Sequence, residues 1–242
     1  MEKLVYLIGT DGDPAELGRD LQTVLGEIDA RVGLQEIELL VADIPQTDVP
    51  RMHRNDPERR LSALVSVWVD SLDARGPLES ELSARAPRLA GYLVTESMPR
   101  EYRERGWPAD APSPGLALVT ALNKRAGLSD EEFYTGWHGG HTPLSLRLHP
   151  LTRYVRNAVA RALTPDAPDF GGIVWESVAT YEDADDPLRF YGSEEGQRET
   201  ESDLRSWASF SSMLTTQMHE YLLKPGAWRP FVRSGEAPAG GA

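Results

Sequence analysis

Residues 116–144 of the 242-residue chain have the sequence LALVTALNKRAGLSDEEFYTGWHGGHTPL. The stretch begins with a run of apolar residues that predicts a buried strand at 116–122. Ser129 follows as a helix N-cap, and Glu132, three residues later, completes a capping box. Three large side chains then recur at every fourth position, on one face of a helix: Phe133, Trp137 and His141. The stretch therefore predicts a strand followed by an amphipathic helix.

The same kinds of signal continue through the rest of the second half. In chain order they predict a strand, a turn-rich loop, a strand, an acidic helical region and a last strand, at 153–159, 164–172, 173–181, 186–205 and 213–223. Together with the opening strand and helix, this is the β-α-β-β-α-β order of a ferredoxin-like unit.

The first half shows the same order in a different sequence. A strand at 4–8 precedes Asp13 and Pro14, which are typical of an N-cap and a first helical position. Apolar residues at helical spacing then predict a helix to about residue 31: Leu17, Leu21, Val24, Leu25 and Ile28. The remaining elements are predicted to be three strands and a short helix, at 36–41, 63–69, 89–95 and 78–86, with a proline- and charge-rich loop ending at residue 60.

A proline-rich segment separates the two repeats. Between residues 99 and 115 there are four prolines, which predicts a linker: Pro99, Pro108, Pro112 and Pro114. The predicted organisation is a degenerate repeat at 1–98, a linker at 99–114, a second repeat at 115–233 and a flexible tail at 234–242.

The tandem also predicts how the sheets are covered. A four-stranded sheet with helices on one face leaves its other face in need of a partner. Two repeats in one chain supply that partner within the molecule, so an α+β fold with two facing sheets that close a barrel is expected. The alternative is that each repeat pairs with a copy in another chain. A homodimer of such tandem chains also remains open.

Composition narrows the functional classes. Hydrophobic residues make up 40% of the chain and charged residues 26%, as in folded globular proteins. A net charge of −13 opposes binding to nucleic acid and to anionic membrane surfaces, because both require basic patches. No apolar run reaches the roughly 18 residues of a membrane span, and the absence of cysteine agrees with a reducing compartment. We therefore expect a cytoplasmic protein with neither partner.

The helix that opens the second repeat resembles the signature of the EthD family. Trp137, His141, Pro143 and Leu144 have the family's spacing, and Thr142 stands where the family usually has glycine. Further downstream, four residues match the family pattern in step: Tyr154, Asn157, Asp203 and Phe210. The resemblance covers about 115–223. The first half offers no counterpart of His141.

The resemblance implies one fold but several different reactions. EthD-like proteins are dimeric α/β-barrel proteins, and this superfamily includes polyketide cyclases, dehydratases, isomerases, haem-degrading monooxygenases and members without an assigned activity. Fold alone does not fix function. A tandem with one recognisable repeat implies a single site on the second repeat's side, which the first repeat is expected to close.

His141 is the leading catalytic candidate, because an imidazole gives and takes protons near neutral pH. Two glycines precede it, and Thr142 with Pro143 is typical of a new helix start, so a helix break is expected at His141. The alternative is a structural histidine that hydrogen-bonds at the break and packs beside Trp137.

Six further residues are candidates for the site. Tyr134 and Asn157 are proposed for catalysis, and four others for substrate binding: Trp137, His138, Tyr154 and Glu176. Trp137 could instead be a core residue and His138 a solvent-facing one. Strand alternation puts Asn157 and Tyr154 on opposite faces of their strand, and the pattern does not decide which face lines a cavity.

The remaining patterns predict no metal and no further catalytic group. His138 and His141 have the i, i+3 spacing of a ligand pair, but no third ligand is obvious. The acidic run at 182–203 is typical of a solvated helix face.

Three functional hypotheses remain open on the sequence. The first is a cofactor-independent enzyme of the lyase or isomerase type that acts on an aromatic or polyketide-like small molecule. The second is a non-catalytic protein that binds or carries a small apolar or aromatic molecule. The third is a haem-binding protein with His141 as axial ligand.

Overall fold

The computed structural model describes residues 1–44 and 61–227, which form an α+β fold around a closed barrel of antiparallel strands. The strand order around the barrel is β1-β3-β2-β8-β5-β7-β6-β4. The first half supplies β1 (Glu2–Gly9), α1 (Pro14–Val32), β2 (Glu36–Val41), β3 (Ala63–Val69), a 3-10 turn (Leu72–Arg75), α2 (Gly76–Arg85) and β4 (Arg88–Arg100).

The second half repeats the order with a longer helical layer. It supplies β5 (Leu116–Leu122), α3 (Asp130–Tyr134), a π-helical turn (Thr135–His141), α4 (Thr142–Leu148), β6 (Leu151–Ala162), β7 (Gly172–Val178), α5 (Tyr181–Asp185), α6 (Pro187–Tyr191), α7 (Glu194–Trp207) and β8 (Leu214–Lys224). None of the described helices is long and apolar enough to cross a membrane.

The tandem and its closure into one barrel are confirmed. Each half forms a four-stranded sheet, and the two sheets join edge to edge where β4 pairs with β6 and β2 pairs with β8. Both seams lie within one chain. Three predicted strands, at 36–41, 63–69 and 116–122, have the same bounds in the structure.

Several predicted bounds differ from the structure. The third strand of the second half ends at Val178 rather than 181, because the side chain of Thr180 accepts from the backbone N–H of Asp183 and caps α5. The acidic helical region predicted at 186–205 is two helices, α6 and α7, and α5 precedes it. Strand β4 extends into the predicted linker, and its pairing with β6 shifts register around Pro99, which has no N–H to donate. The predicted loop at 45–60 and the tail lie outside the described residues.

Buried side chains of two kinds project into the interior of the barrel. One part is apolar, with Val5, Leu40 and Trp175 fully buried. The other part holds Arg153, whose guanidinium donates to Glu220 (Nη1 to Oε1, 2.6 Å), to Glu101 (Nε to Oε1, 2.9 Å) and to Glu38. These carboxylates come from strands of both halves and from the connection between them.

We predict that Arg153→Met strongly destabilises the fold. Removing one partner of a buried ion network leaves the other charges unpaired, so the expected loss is about 3–5 kcal/mol of unfolding free energy. The measurement is urea denaturation. Arg147→Met is the matched control, because Arg147 forms an exposed ion pair with Glu199, and a loss below about 1 kcal/mol is expected there. Equal losses in the two variants would contradict this role.

Candidate functional site

The signature helix contains a π-helical turn instead of the predicted break. Residues 130–148 run continuously through α3, the π turn and α4. Thr142 is helical (φ −61°, ψ −48°), and its backbone N–H bonds to the carbonyl of Trp137, five residues back. The Thr142 hydroxyl donates to the same carbonyl (3.0 Å). Thr142 is therefore not a new N-cap, and the wider turn aims both Trp137 and His141 inward.

A cavity of about 370 Å³ lies between the helices of the second half and the outer face of its sheet. Its lining comes from strands β5 to β8, the π turn, α6, α7 and the connections next to them. The lining includes Trp137, His141, His149, Tyr154, Glu176, Phe190, Gln197, Glu201, Arg205, Trp207 and Phe210. All residues that line it belong to the second half. The cavity lies on the predicted side, but among the described residues the first repeat, which was expected to close it, contributes none of the lining.

The structure shows which face of strands β6 and β7 lines the cavity. Tyr154 and Glu176 line the cavity on the helix side of the sheet. Asn157 points with Val155 and Trp175 into the barrel interior, where its amide donates to the carbonyl of Ile173 (3.1 Å). The predicted catalytic role of Asn157 therefore has no support in the geometry, because the sheet separates Asn157 from the cavity.

Two further candidates also lie outside the lining. The hydroxyl of Tyr134 donates to the carbonyl of Gly171 (3.4 Å). His138 is half-buried and packs on the Trp137 ring (4.7 Å between centroids). Burial and the nearby charge of Arg156 lower the pKa of His138 to about 4, so its ring is neutral at pH 7. His138 is neither solvent-facing nor a contact of the cavity.

His141 reaches the cavity and is held by a carboxylate. Its Nδ1 lies 2.8 Å from Oδ2 of Asp203, which also accepts from Nε1 of Trp207 (3.2 Å). Burial alone would raise the pKa of Asp203, but the hydrogen bonds from His141 and Trp207 outweigh it and lower that pKa. Because the carboxylate is ionised, Nδ1 carries the proton and Nε2 is left for a ligand. The acidic run was predicted to have no such role.

A second histidine–carboxylate pair lines the same cavity. Nδ1 of His149 lies 3.2 Å from Oε1 of Glu176, and its Nε2 is buried with no hydrogen-bond partner among the described residues. Burial alone would raise the pKa of Glu176, but the charge and hydrogen bond of His149, together with the charge of His141, lower it. His149 was missed from the sequence because it stands alone in the short connection between α4 and β6.

Aromatic rings form much of the remaining cavity wall, and two of them pack closely against glycine residues. Trp137 and Trp207 are stacked (6.3 Å between centroids, 13° between planes). A Cβ at Gly172 would lie 2.4 Å from the Trp137 ring, and a Cβ at Gly136 would lie 2.7 Å from the Trp207 side chain. Glycine at both positions lets the indoles pack against the backbone.

A family comparison supports the sequence resemblance. The model of the EthD domain matches residues 125–211. The second half of the chain therefore carries an EthD domain. His141, His149, Glu176 and Asp203 all lie within the matched segment of this EthD domain. No curated protein matches the chain.

Solved structures match the whole barrel, including the EthD domain. An anthrone oxidase-like protein aligns over 93% of this chain and 95% of its own, with a TM-score of 0.58 and 11% identity. A monooxygenase-like protein from Fusobacterium nucleatum subsp. nucleatum aligns over 92% of each chain (TM-score 0.53, 9% identity). A dye-decolorizing peroxidase from Bacteroides thetaiotaomicron covers 91% of this chain and 93% of its own (0.51, 9%). At these identities the likeness shows the fold, a dimeric α/β-barrel within one chain.

The lining of the EthD cavity does not fit a haem. A haem held by His141 would need apolar surroundings for its ring and cations for its two propionates. Among the lining residues Arg205 is the single lysine or arginine, and Glu176 and Glu201 add negative charge. The donor set is that of an acid–base site.

Titration of the protein with haem is therefore expected to leave the absorption of free haem unchanged. Without cations for the propionates, a haem would bury uncompensated charge beside two carboxylates. The measurement is the Soret band, followed from substoichiometric haem to excess. A sharpened and shifted Soret band in the wild-type protein that disappears in His141→Ala would contradict this reading of the cavity.

Proposed function

We propose that the EthD cavity is the active site of a cofactor-independent acid–base catalyst that removes a proton from an aromatic or polyketide-like small molecule. One observation carries the proposal: two histidines, each held at Nδ1 by a carboxylate of lowered pKa, line one aromatic-walled cavity. Histidines oriented in this way are suited to proton transfer at neutral pH.

His141 acts as the general base. Ionised Asp203 fixes the proton on Nδ1, so that the lone pair of Nε2 is available to take a proton from the substrate. When it does so, the positive imidazolium forms beside the carboxylate and is stabilised by it. Asp203 acts through His141 and is a positioning residue.

His149 stabilises the oxygen that becomes negative when the proton leaves. Its Nε2 has no partner among the described residues and is buried, so a hydrogen bond to a substrate oxygen satisfies it. The Glu176 carboxylate, 3.2 Å from Nδ1, holds the ring so that Nε2 is the nitrogen that meets the substrate oxygen, and Nε2 donates this bond when it carries a proton. In this proposal His141 is the general base, and His149 is the hydrogen-bond donor to the oxyanion.

The cavity selects a flat, mostly apolar substrate. Its volume of about 370 Å³ is at the lower end of the usual range for small-molecule sites. The indoles of Trp137 and Trp207 and the ring of Phe190 offer π faces to an aromatic ligand. Burial raises the pKa of Tyr154, with a further contribution from the charge of Glu176, so its hydroxyl stays a hydrogen-bond donor.

Removal of a proton next to a carbonyl group is the step that cyclisation, dehydration and isomerisation of polyketide-like compounds share. An anthrone is activated in a related way at its CH₂ group, which lies across the central ring from the carbonyl and is conjugated with it: loss of a proton there gives an anion that reacts with O₂, one oxygen atom becoming the new ketone oxygen and the other leaving as water. One structurally similar protein is described as anthrone oxidase-like. Anthrone is therefore a suitable first probe, and its deuterium exchange without O₂ isolates the proton transfer.

Wild-type protein is expected to accelerate exchange of the anthrone CH₂ protons in D₂O under nitrogen. Loss of the base in His141→Ala should lower the catalysed rate by about 100-fold, as for other general bases. Proton NMR follows the exchange. His138→Ala is the matched control, since His138 lies on the same π turn but outside the cavity lining, and its rate should stay within about twofold of wild type.

The exchange measurement distinguishes a catalytic protein from a non-catalytic carrier. Exchange that is catalysed equally by wild type and His141→Ala would remove His141 from the mechanism. Anthrone that binds without accelerated exchange would overturn catalysis on this substrate class and favour the carrier. Circular dichroism of each variant shows whether the fold is retained.

Asp203→Asn is expected to reduce the exchange rate by about tenfold, because the neutral amide neither fixes the histidine tautomer nor stabilises the imidazolium as well. Glu199→Gln is the control, because Glu199 is an acid on the same helix that pairs with Arg147 on the exposed side. Equal rates in Asp203→Asn and Glu199→Gln would exclude the positioning role.

A further inference from the structure

The cavity has a buried end and an open end. His141, His149 and Trp207 are buried, whereas Arg205 is exposed and Phe210 is 42% exposed. Helix α7 carries residues of both kinds, because Trp207 lies under the helix and Arg205 lies at its margin. A ligand whose reacting group meets the two histidines therefore extends outward toward Arg205.

Arg205 has no ion-pair partner among the described residues. Its guanidinium lies over the ring of Phe210, with Cζ 4.7 Å from the ring centroid. Three other exposed arginines of the second half have acidic partners: Arg147 with Glu199, Arg189 with Asp183 and Arg198 with Glu194. Arg125 and Arg161 resemble Arg205 in having no ion pair among the described residues, but Arg205 is the one of the three that lines the cavity, and it keeps its donors available at the mouth.

Glu201, an acidic side chain on the same face of the helix as Arg205, accepts a hydrogen bond from another residue. Glu201 stands one turn before Arg205 and also lines the cavity, yet its Oε1 accepts a hydrogen bond from Nε2 of Gln197 (3.1 Å). Gln197, Glu201 and Arg205 form a polar row at i, i+4 and i+8 along α7. Within this row the cation is the member that offers donors to an incoming ligand.

We propose that the natural ligand carries an anionic group, a carboxylate or an acidic phenolate, at the end remote from the histidines, and that Arg205 binds this group at the cavity mouth. The inference rests on the proposed function, because it takes the same cavity as the ligand site. It narrows the substrate class to aromatic or polyketide-like acids.

The negative net charge of the chain makes Arg205 a selective site for an anionic ligand. The chain has a net charge of −13, so an anion is repelled by most of the surface and is favoured only where a local cation outweighs that field. Stacking on Phe210 holds the guanidinium plane, and an arginine presents a planar fork of donors that matches a carboxylate. A neutral ligand gains nothing from this contact.

Two fluorescent-quenching titrations test the proposal. The probes are 2-naphthol and 6-hydroxy-2-naphthoate, which share a ring system and differ by one carboxylate. Binding is read as quenching of the total tryptophan emission, to which Trp137 and Trp207 in the cavity lining contribute among the six tryptophans of the chain. Wild type is expected to bind the naphthoate about fivefold more tightly than the naphthol, as for a charge-assisted bond at a partly exposed site. Arg205→Gln should abolish that preference and leave 2-naphthol binding unchanged.

Controls make the outcome specific to the guanidinium at the mouth. Arg205→Lys should keep part of the preference, and Arg198→Gln, on the same helix but outside the lining, should keep all of it. Equal affinity of wild type for both probes, or an equal loss of both in Arg205→Gln, would overturn the inference while leaving the proton-exchange function intact. Failure of both probes to bind would also overturn the inference, whereas the proton-exchange function is decided separately by the anthrone measurement.

Discussion

The buried guanidinium of Arg153 is the constraint on which the arrangement of this molecule depends. It lies in the interior of the barrel with carboxylates contributed by β2, β8 and the connection after β4. On the opposite side of the interior, Lys3 pairs with Glu96 and lies 4.8 Å from the ring of Trp175. Charges buried this deeply persist only when they are paired. The two halves are therefore joined by complementary charges as well as by strand pairing.

The two helix layers that cover the barrel differ in how closely they pack on the sheet. In the first half, α1 lies so close to the sheet that a Cβ at Gly18 would be 2.8 Å from Cγ1 of Val41, and aliphatic residues fill the interface. In the second half, indoles and the π turn hold the helices over a cavity. The asymmetry that the sequence suggested is thus an asymmetry of helix packing. One half closes the barrel, and the other holds the site.

The fold could be predicted because its signals are local. Alternating and helical spacing, the Asp13 cap and the Ser129 capping box each depend on a few neighbouring residues, and they place most elements correctly. The candidate residues that line the cavity are Trp137 and His141 from the signature and Tyr154 and Glu176 from the strands.

The rest of the site depends on pairs that are distant along the chain. Asp203 is 62 residues from His141, and Glu176 is 27 residues from His149, so no short pattern joins them. The sequence also does not decide which face of β6 lines the cavity. Alternation divides the side chains of the strand into two equivalent sets, and only the position of the helices shows which set faces them. For this reason Asn157 was assigned to a cavity that it cannot reach.

We propose that this protein binds its ligand on the helix side of the second sheet and not inside the barrel. The direct test is a crystal structure of the protein soaked with 6-hydroxy-2-naphthoate. We expect density for the ring system beside Trp207, with the hydroxyl within hydrogen-bond distance of Nε2 of His141 and the carboxylate at Arg205. Density inside the barrel beside Trp175, or between the two halves, would contradict it.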